Sequence, residues 1–125
     1  MLNAAPTDLT GKVALVTGAS GGIGASAVAH FAALGATVYA TDIADSFEGT
    51  AIYKRFDLLD DAQLAECGAW IADIKPDILF NNAALFAMGS VLEEGDLAQQ
   101  DRLFGVNVRA FYAIMQACAK SMVTN

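Results

Sequence analysis

The sequence predicts a doubly wound α/β fold, in which helices cover both faces of a parallel sheet. Short apolar segments with strand character alternate along the chain with longer segments of helical periodicity, and this alternation is typical of parallel sheets. A glycine-rich turn at residues 18–24 also follows the first apolar segment directly and opens the first helix. With 125 residues and no internal repeat or linker, residues 1–125 are expected to form one domain.

The first three elements are predicted from apolar runs and a glycine stop. Residues 12–17 are nearly all apolar, as expected for a strand that helices cover on both sides. The first helix is predicted over residues 22–34, with Gly35 as its stop, and the second strand over 37–42. Five apolar residues of this helix are expected to form its buried stripe: Ile23, Ala27, Val28, Phe31 and Leu34.

The connection after the second strand is unusually short. Residues 43–50 leave little room for the usual crossover helix, which we expect to be a single turn or absent. A third strand is predicted over 51–56, and Asp60 or Asp61 can cap a helix that reaches Ile74.

One strand and one long helix complete the predicted order. Pro76 cannot continue the preceding helix, and residues 78–81 are predicted to form the fourth strand. Asp96 is expected to cap a long helix that runs to about Ser121.

Charge, hydropathy and cysteine content exclude several classes of function. The formal net charge of −7 disfavours nucleic acid as a partner, since phosphates need a basic surface. No apolar run reaches the roughly 18 residues that a membrane helix needs, and we expect no signal peptide. Cys67 and Cys118 lie about 50 residues apart without metal-ligand spacing, so we expect reduced thiols in a cytoplasm and no metal site.

The glycine-rich turn predicts a cradle for a dinucleotide. Gly18, Gly22 and Gly24 follow a strand with the spacing G-x3-G-x-G. Glycines at these positions let the backbone approach a pyrophosphate, and the helix N-terminus offers it free N–H groups and partial positive charge. Without its context, the same triplet would indicate no more than an ordinary tight turn; the strand before it and the helix after it favour the cradle.

Asp42 points to one particular dinucleotide. It ends the second strand, 18 residues after Gly24, where an acidic residue can accept hydrogen bonds from the adenosine ribose hydroxyls. A carboxylate there would repel a 2′-phosphate, and no Arg or Lys lies in residues 19–21 or directly after Asp42 to receive one. Both observations favour NAD over NADP. The alternative is a solvated aspartate at a strand end.

At these positions the chain resembles the short-chain dehydrogenase/reductase family of the classical type. The resemblance rests on five motifs in the family's order and covers nearly the whole chain. They are the lead-in at residues 9–13; the TGxxxGxG turn of Thr17, Gly18, Ala19, Ser20, Gly21, Gly22, Ile23 and Gly24; Asp57 with Leu58; Asn81, Asn82, Ala83 and Ala84, which resemble NNAG; and Asn107.

The resemblance implies a truncated Rossmann-like sheet of about four strands in the order 3-2-1-4. It also implies that Asp57 and Leu58 contact the adenine ring, and that Asn107 is the only member of the family's catalytic set in this chain. From the residues alone, Asn107 reads as a buried amide with a hydrogen-bond partner in the core. The expected cofactor-binding residues are Gly18, Ala19, Ser20, Gly21, Gly22, Ile23, Gly24, Asp42, Ile43, Asp57, Leu58, Asn82, Ala83 and Ala84.

Two departures from the family pattern qualify this expectation. Ala84 replaces the last glycine of NNAG, and we expect cofactor binding to survive the added methyl group. The family's chemistry also needs a Tyr-x3-Lys pair and a preceding serine. The three tyrosines, Tyr39, Tyr53 and Tyr112, are followed four positions later by Ile, Asp and Gln, so the pair is absent from this sequence.

We therefore expect the N-terminal, cofactor-binding part of an NAD(H)-dependent oxidoreductase, which acts on an alcohol or carbonyl substrate only if the missing part is supplied. An alternative is a non-catalytic nucleotide-binding or oligomerisation module from a truncated gene or a designed fragment. Whether the natural gene continues past Asn125 separates the two. Another kind of Rossmann domain would not explain Asn81, Asn82 and Asn107 together.

The composition further suggests a partner surface. The chain is 55% hydrophobic and only 17% charged, against about 25% charged residues in a typical soluble domain. Residues 104–122 carry only Arg109 and Lys120 as charges, and a helix that is apolar nearly all round is normally buried. We therefore expect a homo-oligomer, formed through the last helix or through the open edge of the fourth strand.

Overall fold

A computed structural model describes residues 7–87 and 97–124 of the chain. Within these residues, four parallel strands form one sheet in the order β3-β2-β1-β4, which confirms the predicted fold class and strand order. The strands are β1 (Val13–Thr17), β2 (Thr37–Asp42), β3 (Ile52–Arg55) and β4 (Ile78–Phe80).

The sheet is buried along its central strand. In β1, Ala14, Leu15 and Val16 are fully buried, as the apolar run predicted for a strand covered on both faces. The strands β2 and β4 pair with β1 on its two sides, and both begin near its start. Val13 pairs with Thr37 of β2, and Ala14 pairs with Ile78 of β4. The carboxyl ends of these three strands therefore meet at one edge of the sheet.

Helices flank the sheet on both faces. They are α1 (Gly22–Ala33), α2 (Asp61–Ile74), α3 (Leu97–Phe104), a π-helical segment (Gly105–Ala110) and α4 (Phe111–Thr124). The predicted stop at Gly35 is confirmed, because Gly35 has a φ of +96° directly after the last residues of α1. Asp60 caps α2 by accepting hydrogen bonds from the N–H groups of Ala62 and Gln63.

Two hydrophobic clusters hold the layers together. One lies between the sheet and the helices α2 and α4, and the other lies between the sheet and α1. The fully or nearly fully buried members of the first cluster are Leu15, Phe56, Cys67, Ile71, Ile114 and Cys118. Those of the second are Val16, Ala19, Val28, Val38 and Ala40.

Three sequence predictions differ from the structure or are refined by it. Ile23, expected in the buried stripe of α1, is 71% exposed, because it lies in the first turn of the helix and lines an open cavity there. The connection 43–51 contains no helix; the sequence had predicted either a single helical turn or none. The long C-terminal helix is not regular, since the π-helical segment 105–110 separates α3 from α4; its expected cap, Asp96, lies outside the described residues.

Across residues 7–87 and 97–124, no helix has both the length and the apolar character needed to cross a membrane.

Candidate functional site

A cavity of about 360 Å³ opens at the carboxyl edge of the sheet. Residues from β2, from the turn after β1 and from the loops after β3 and β4 line it, together with Val106 of the π-helical segment. Most of the predicted cofactor-binding residues lie on its wall. They are Gly18, Gly21, Gly22, Ile23, Asp42, Ile43, Asp57, Leu58, Asn82, Ala83 and Ala84.

Three of the four glycines in the turn are required for different structural reasons. Gly18 has a φ of +65°, and a Cβ atom there would lie 2.9 Å from the Cα of Ala83. A Cβ atom on Gly24 would collide with the carbonyl group of Gly18, so this glycine permits the close packing of α1 on the turn. Gly22 has no atom within 4 Å of where a Cβ would lie, and it faces the open space of the cavity.

The N-terminus of α1 lies at this cavity, and the helix itself places no acidic side chain there. No side chain caps the helix, and its first turn contains no Asp or Glu. Ala25 N–H donates to the carbonyl of Gly21 at 2.8 Å, so the N–H groups that precede it at the helix start have no carbonyl of an earlier helical turn to bond. Such a terminus favours a negatively charged group by hydrogen bonding and by the helix dipole.

Thr17 joins the end of β1 to the loop after β4. Its fully buried hydroxyl oxygen accepts hydrogen bonds from the N–H groups of Asn82 and Ala83, both at 2.9 Å. The side-chain amide of Asn82 donates to the carbonyl of Gly18 at 3.3 Å, while that of Asn81 donates to Phe111 at 3.0 Å. The two asparagines therefore tie neighbouring segments of the chain together.

Asp42 is held rigidly at the end of β2. One carboxylate oxygen accepts from Ser20 N–H at 2.9 Å, and the other accepts from Ile43 N–H at 2.7 Å. Ser20 thus acts through its backbone and does not line the cavity. Two further predicted residues, Ala19 and Gly24, are also absent from the cavity wall because both are buried beneath the turn.

Asp57 and Leu58 form the wall across from the glycine turn, in the loop that leads from β3 into α2. Asp57 is fixed by two contacts: its N–H donates to the Gln63 side chain at 2.8 Å, and its carboxylate accepts from Leu59 N–H at 3.0 Å. Sequence reasoning missed five other residues of the cavity wall. Four of them have apolar side chains and the fifth is a threonine: Phe56, Leu59, Leu85, Val106 and Thr41.

Asn107 differs from its expected setting. The sequence predicted a buried amide in the middle of a regular helix, but the residue is exposed and lies in the π-helical segment. Its amide pairs with the backbone of one residue in the loop after β4, accepting from Leu85 N–H at 2.7 Å and donating to the Leu85 carbonyl at 2.8 Å. Asn107 therefore has the expected partner, although that partner is a loop that lines the cavity and not the core.

Metal-binding groups are not assembled anywhere in the part of the chain that the structure describes. No group of three or more His, Cys, Asp or Glu side chains there could hold a metal ion. Cys67 and Cys118 are free and buried. Burial, with the Cys118 thiol nearby, raises the pKa of Cys67 to about 12, and burial raises that of Cys118 to about 11, so both thiols are protonated at neutral pH.

Comparison with known proteins identifies the family. The sequence model described as "short chain dehydrogenase" matches residues 12–125. A short-chain dehydrogenase reductase 4 of Arabidopsis thaliana is 35% identical, over 94% of this chain and 43% of the relative. A sorbitol dehydrogenase of Cereibacter sphaeroides is also 35% identical, over 92% of this chain and 48% of the relative.

A solved structure of the same family is also similar to this chain in sequence and in fold. A metagenomic short-chain oxidoreductase in complex with NADP is 32% identical, with a TM-score of 0.80 over 93% of this chain and 58% of the other. The chain spans about half the length of the curated relatives that it matches. The glycine turn, the asparagines after β4 and these matches lead to one conclusion: the chain belongs to the short-chain dehydrogenase/reductase family.

Proposed function

We propose that this chain binds NAD(H) at the carboxyl edge of its sheet, as the cofactor-binding part of an oxidoreductase. One observation carries the proposal. The open side of Gly22, the N-terminus of α1 and the carboxylate of Asp42 lie around one cavity. These groups suit a pyrophosphate and a ribose that are joined in one ligand.

The cavity fits the parts of a dinucleotide. The backbone between Gly18 and Gly24 would hold the pyrophosphate, because no Cβ fills the space beside Gly22. Asp42 would accept from the adenosine ribose, and Asp57 with Leu58 would contact the adenine. The loop of Asn82, Ala83 and Ala84 would lie along the part nearer the nicotinamide.

The preference for NAD over NADP is part of the proposal. The carboxylate of Asp42 lies on the cavity wall and would repel a 2′-phosphate. The metagenomic relative is itself a complex with NADP, so a member of this family can bind NADP. Direct competition between the two nucleotides therefore has to decide the case for this chain.

A bound nicotinamide would supply the hydride donor or acceptor for an alcohol or carbonyl substrate. The residues of this chain bind and orient that cofactor, and Asn107 holds the Leu85 loop in place at the cavity. None of the tyrosines in the sequence is followed four positions later by lysine. We therefore propose that the 125-residue chain binds the cofactor without turning over substrate on its own.

Calorimetric titration with NAD and NADP tests this function. NAD is expected to bind more tightly than NADP, and Gly22→Asp is expected to abolish the heat because it places a carboxylate where the pyrophosphate would lie. Gly22→Ala adds only a methyl group to open space, so it should not lower the unfolding free energy. It should still weaken binding at least about tenfold, because the methyl group takes up space that the pyrophosphate needs.

Gly68→Ala is the matched control for these variants. A Cβ at Gly68 also meets no atom within 4 Å, and the residue lies in α2, away from the cavity wall. It should bind NAD like the unchanged protein. Equal heats from the unchanged protein and Gly22→Asp would overturn the proposed site.

A second candidate function is a non-catalytic module for nucleotide binding or self-association. The large apolar side chains exposed along the C-terminal helices favour it, including Tyr112 at 58% and Val123 at 82% exposed. We propose that the chain forms a homo-oligomer, either through this surface of α4 or through the edge of β4. The free buried thiols of Cys67 and Cys118 fit a reducing, cytoplasmic location.

A further inference from the structure

The connection between β2 and β3 needs support that its own backbone does not give. Parallel strands are usually joined by a crossover of a dozen or more residues that contains a helix. Here residues 43–51 contain no helix. The segment nevertheless begins at Asp42 and Ile43, which both line the cavity. Whatever fixes its first residues also fixes that part of the wall.

Two side chains of β3 hold this connection by its carbonyl groups. The Tyr53 hydroxyl donates to the Ala44 carbonyl at 2.6 Å, and Arg55 Nε donates to the Ile43 carbonyl at 2.8 Å. Tyr53 and Arg55 are two residues apart and so lie on one face of the strand. Arg55 also forms an ion pair with Asp45 at 3.5 Å.

The Tyr53 contact is reinforced by its surroundings. Phe47, from the far half of the connection, stacks on the Tyr53 ring with centroids 5.4 Å apart and planes 16° from parallel. Burial, and next the negative charge of Asp42, raise the pKa of Tyr53. The hydroxyl therefore keeps its proton and remains a donor to the Ala44 carbonyl at neutral pH.

The held peptide continues directly to the carboxylate. Ile43 accepts from Arg55 through its carbonyl, and donates through its N–H to one carboxylate oxygen of Asp42 at 2.7 Å. Asp42 and Arg55 are also register partners on adjacent strands. Neither Tyr53 nor Arg55 lines the cavity, so any influence on a ligand is indirect. It passes through the segment 42–44, or through Ser20, whose side chain is hydrogen-bonded to the Tyr53 hydroxyl and whose N–H donates to the Asp42 carboxylate.

We propose that Tyr53 and Arg55 are positioning residues that fix the Asp42 carboxylate for recognition of a ribose 2′-hydroxyl. The inference rests on the proposed function, since it assumes an adenosine nucleotide in the cavity. It assigns to β3 side chains the support that a crossover helix would otherwise give. Their loss should blur the distinction between ribose and deoxyribose, which is a different effect from a general loss of affinity.

The test compares ADP with 2′-deoxy-ADP in calorimetric titrations of the full chain. The unchanged protein is expected to prefer ADP by about fivefold, as one hydrogen bond to the 2′-hydroxyl implies. Tyr53→Phe, which keeps the ring stack, and Arg55→Met, which removes charge and donors, should each bring this ratio close to one. Arg55→Lys should retain part of the preference, because it keeps a charged donor.

Lys12→Met is the matched control. Lys12 is exposed and lies just before β1, at the amino ends of the strands, whereas the cavity lies at their carboxyl ends. It should keep the full preference for ADP. Variants of Tyr53 and Arg55 that keep the preference, or that lose affinity for both nucleotides equally, would overturn the inference while leaving the proposed function standing. An unchanged protein that binds both nucleotides equally would also overturn it. Failure of the unchanged protein to bind either nucleotide would instead overturn the proposed function.

Discussion

Two threonines at the same level of the sheet show how residues of one type differ in energetic role. Thr17 and Thr41 are register partners at the carboxyl ends of β1 and β2, and both are buried. The Thr17 oxygen accepts two backbone N–H groups at 2.9 Å. The Thr41 hydroxyl has no hydrogen-bond partner among the residues that the structure describes.

We expect opposite effects from the same substitution at these positions. Thr17→Val leaves the N–H groups of Asn82 and Ala83 without their acceptor, and each unsatisfied buried group costs about 1–3 kcal/mol. Thr17→Val should therefore lower the unfolding free energy by about 2–6 kcal/mol, measured by urea denaturation. Thr41→Val removes a hydroxyl that is already unpaired and should leave the stability unchanged or raise it.

Each variant serves as the control for the other, since the change in shape is identical. A loss of more than about 1 kcal/mol in Thr41→Val would contradict the prediction and would show that its hydroxyl is satisfied in solution. The sequence could not separate the two residues, because the difference comes from the loop after β4. That loop reaches Thr17 and not Thr41.

Among elements, the π-helical segment 105–110 departs most from what the sequence predicted. Residues 105–110 contain no proline and read as part of a continuous helix. Two residues of this π-helical segment contact distant segments of the chain. Asn107 pairs with the backbone of Leu85, and Arg109 contacts the Asp61 carboxylate at 2.6 Å. π-Helical turns occur often at functional sites, and this one contributes Val106 to the cavity wall.

Asn107→Ala should loosen the loop after β4 without unfolding the domain. The substitution removes both hydrogen bonds to Leu85, together worth about 1–2 kcal/mol. We expect hydrogen exchange at the Leu85 amide to quicken by roughly tenfold, since about 1.4 kcal/mol corresponds to that factor. Amides in the middle of β1 should keep their protection.

Arg109→Met is the control for this experiment. Arg109 lies in the same π-helical segment, but its ion pair is exposed at both partners, and such pairs contribute about 0–1 kcal/mol. Its loss should leave exchange at Leu85 nearly unchanged. If Arg109→Met quickened exchange as much as Asn107→Ala, the whole segment and not the amide pair would hold the loop.

The regular elements were predictable because their signals are local. Strand ends fell within about one residue, since apolar runs stop where polar or glycine residues begin, and Gly35 and Asp60 mark helix ends by backbone and capping chemistry. Ile23 was assigned wrongly because helical periodicity gives the face of a residue and not that this face opens onto the cavity in the first turn of α1. The wall residues Leu85 and Val106 could not be found, since only tertiary packing brings them together.

At the scale of the whole molecule, the two buried thiols predict how stability depends on alkaline pH. The pKa values of Cys67 and Cys118 rise from an ordinary 9.0 to about 12 and about 11 in the folded chain. Above pH 9 the unfolded thiols lose protons that the folded ones keep, so the unfolded state is favoured as pH rises. Stability should be intact below pH 9 and fall above it, by at most about 1.4 kcal/mol per pH unit for each thiol.

Urea denaturation at several pH values between about 8.5 and 10.5 measures this predicted fall in the unfolding free energy. The double variant Cys67→Ala with Cys118→Ala should show a shallower decline with pH, although its stability is lower throughout because of the cavities left behind. A thiol-labelling reagent gives an independent measurement that needs no variant. It should react slowly with the native chain and rapidly in urea; fast labelling of the native chain would contradict the burial of both thiols.

The exposed apolar side chains of the C-terminal helices lead to the last prediction, self-association. They recur at intervals of three, four or seven residues, a spacing typical of contacts between helices, and we call this set of side chains the apolar strip. Each is at least 38% exposed, and the strip consists of Phe104, Val108, Phe111, Met115 and Met122.

We expect the chain to sediment as a dimer or larger species at micromolar concentration. Val108→Glu with Met115→Glu places two like charges in the strip and should shift the population to monomer, because a buried unpaired carboxylate is strongly unfavourable. The matched control is Ile52→Glu, an exposed apolar residue of β3 at the far edge of the sheet, which should leave the association unchanged. Association that survives the charges in the strip would assign the contact to the edge of β4, whereas a monomer in the unchanged protein would contradict self-association through either surface.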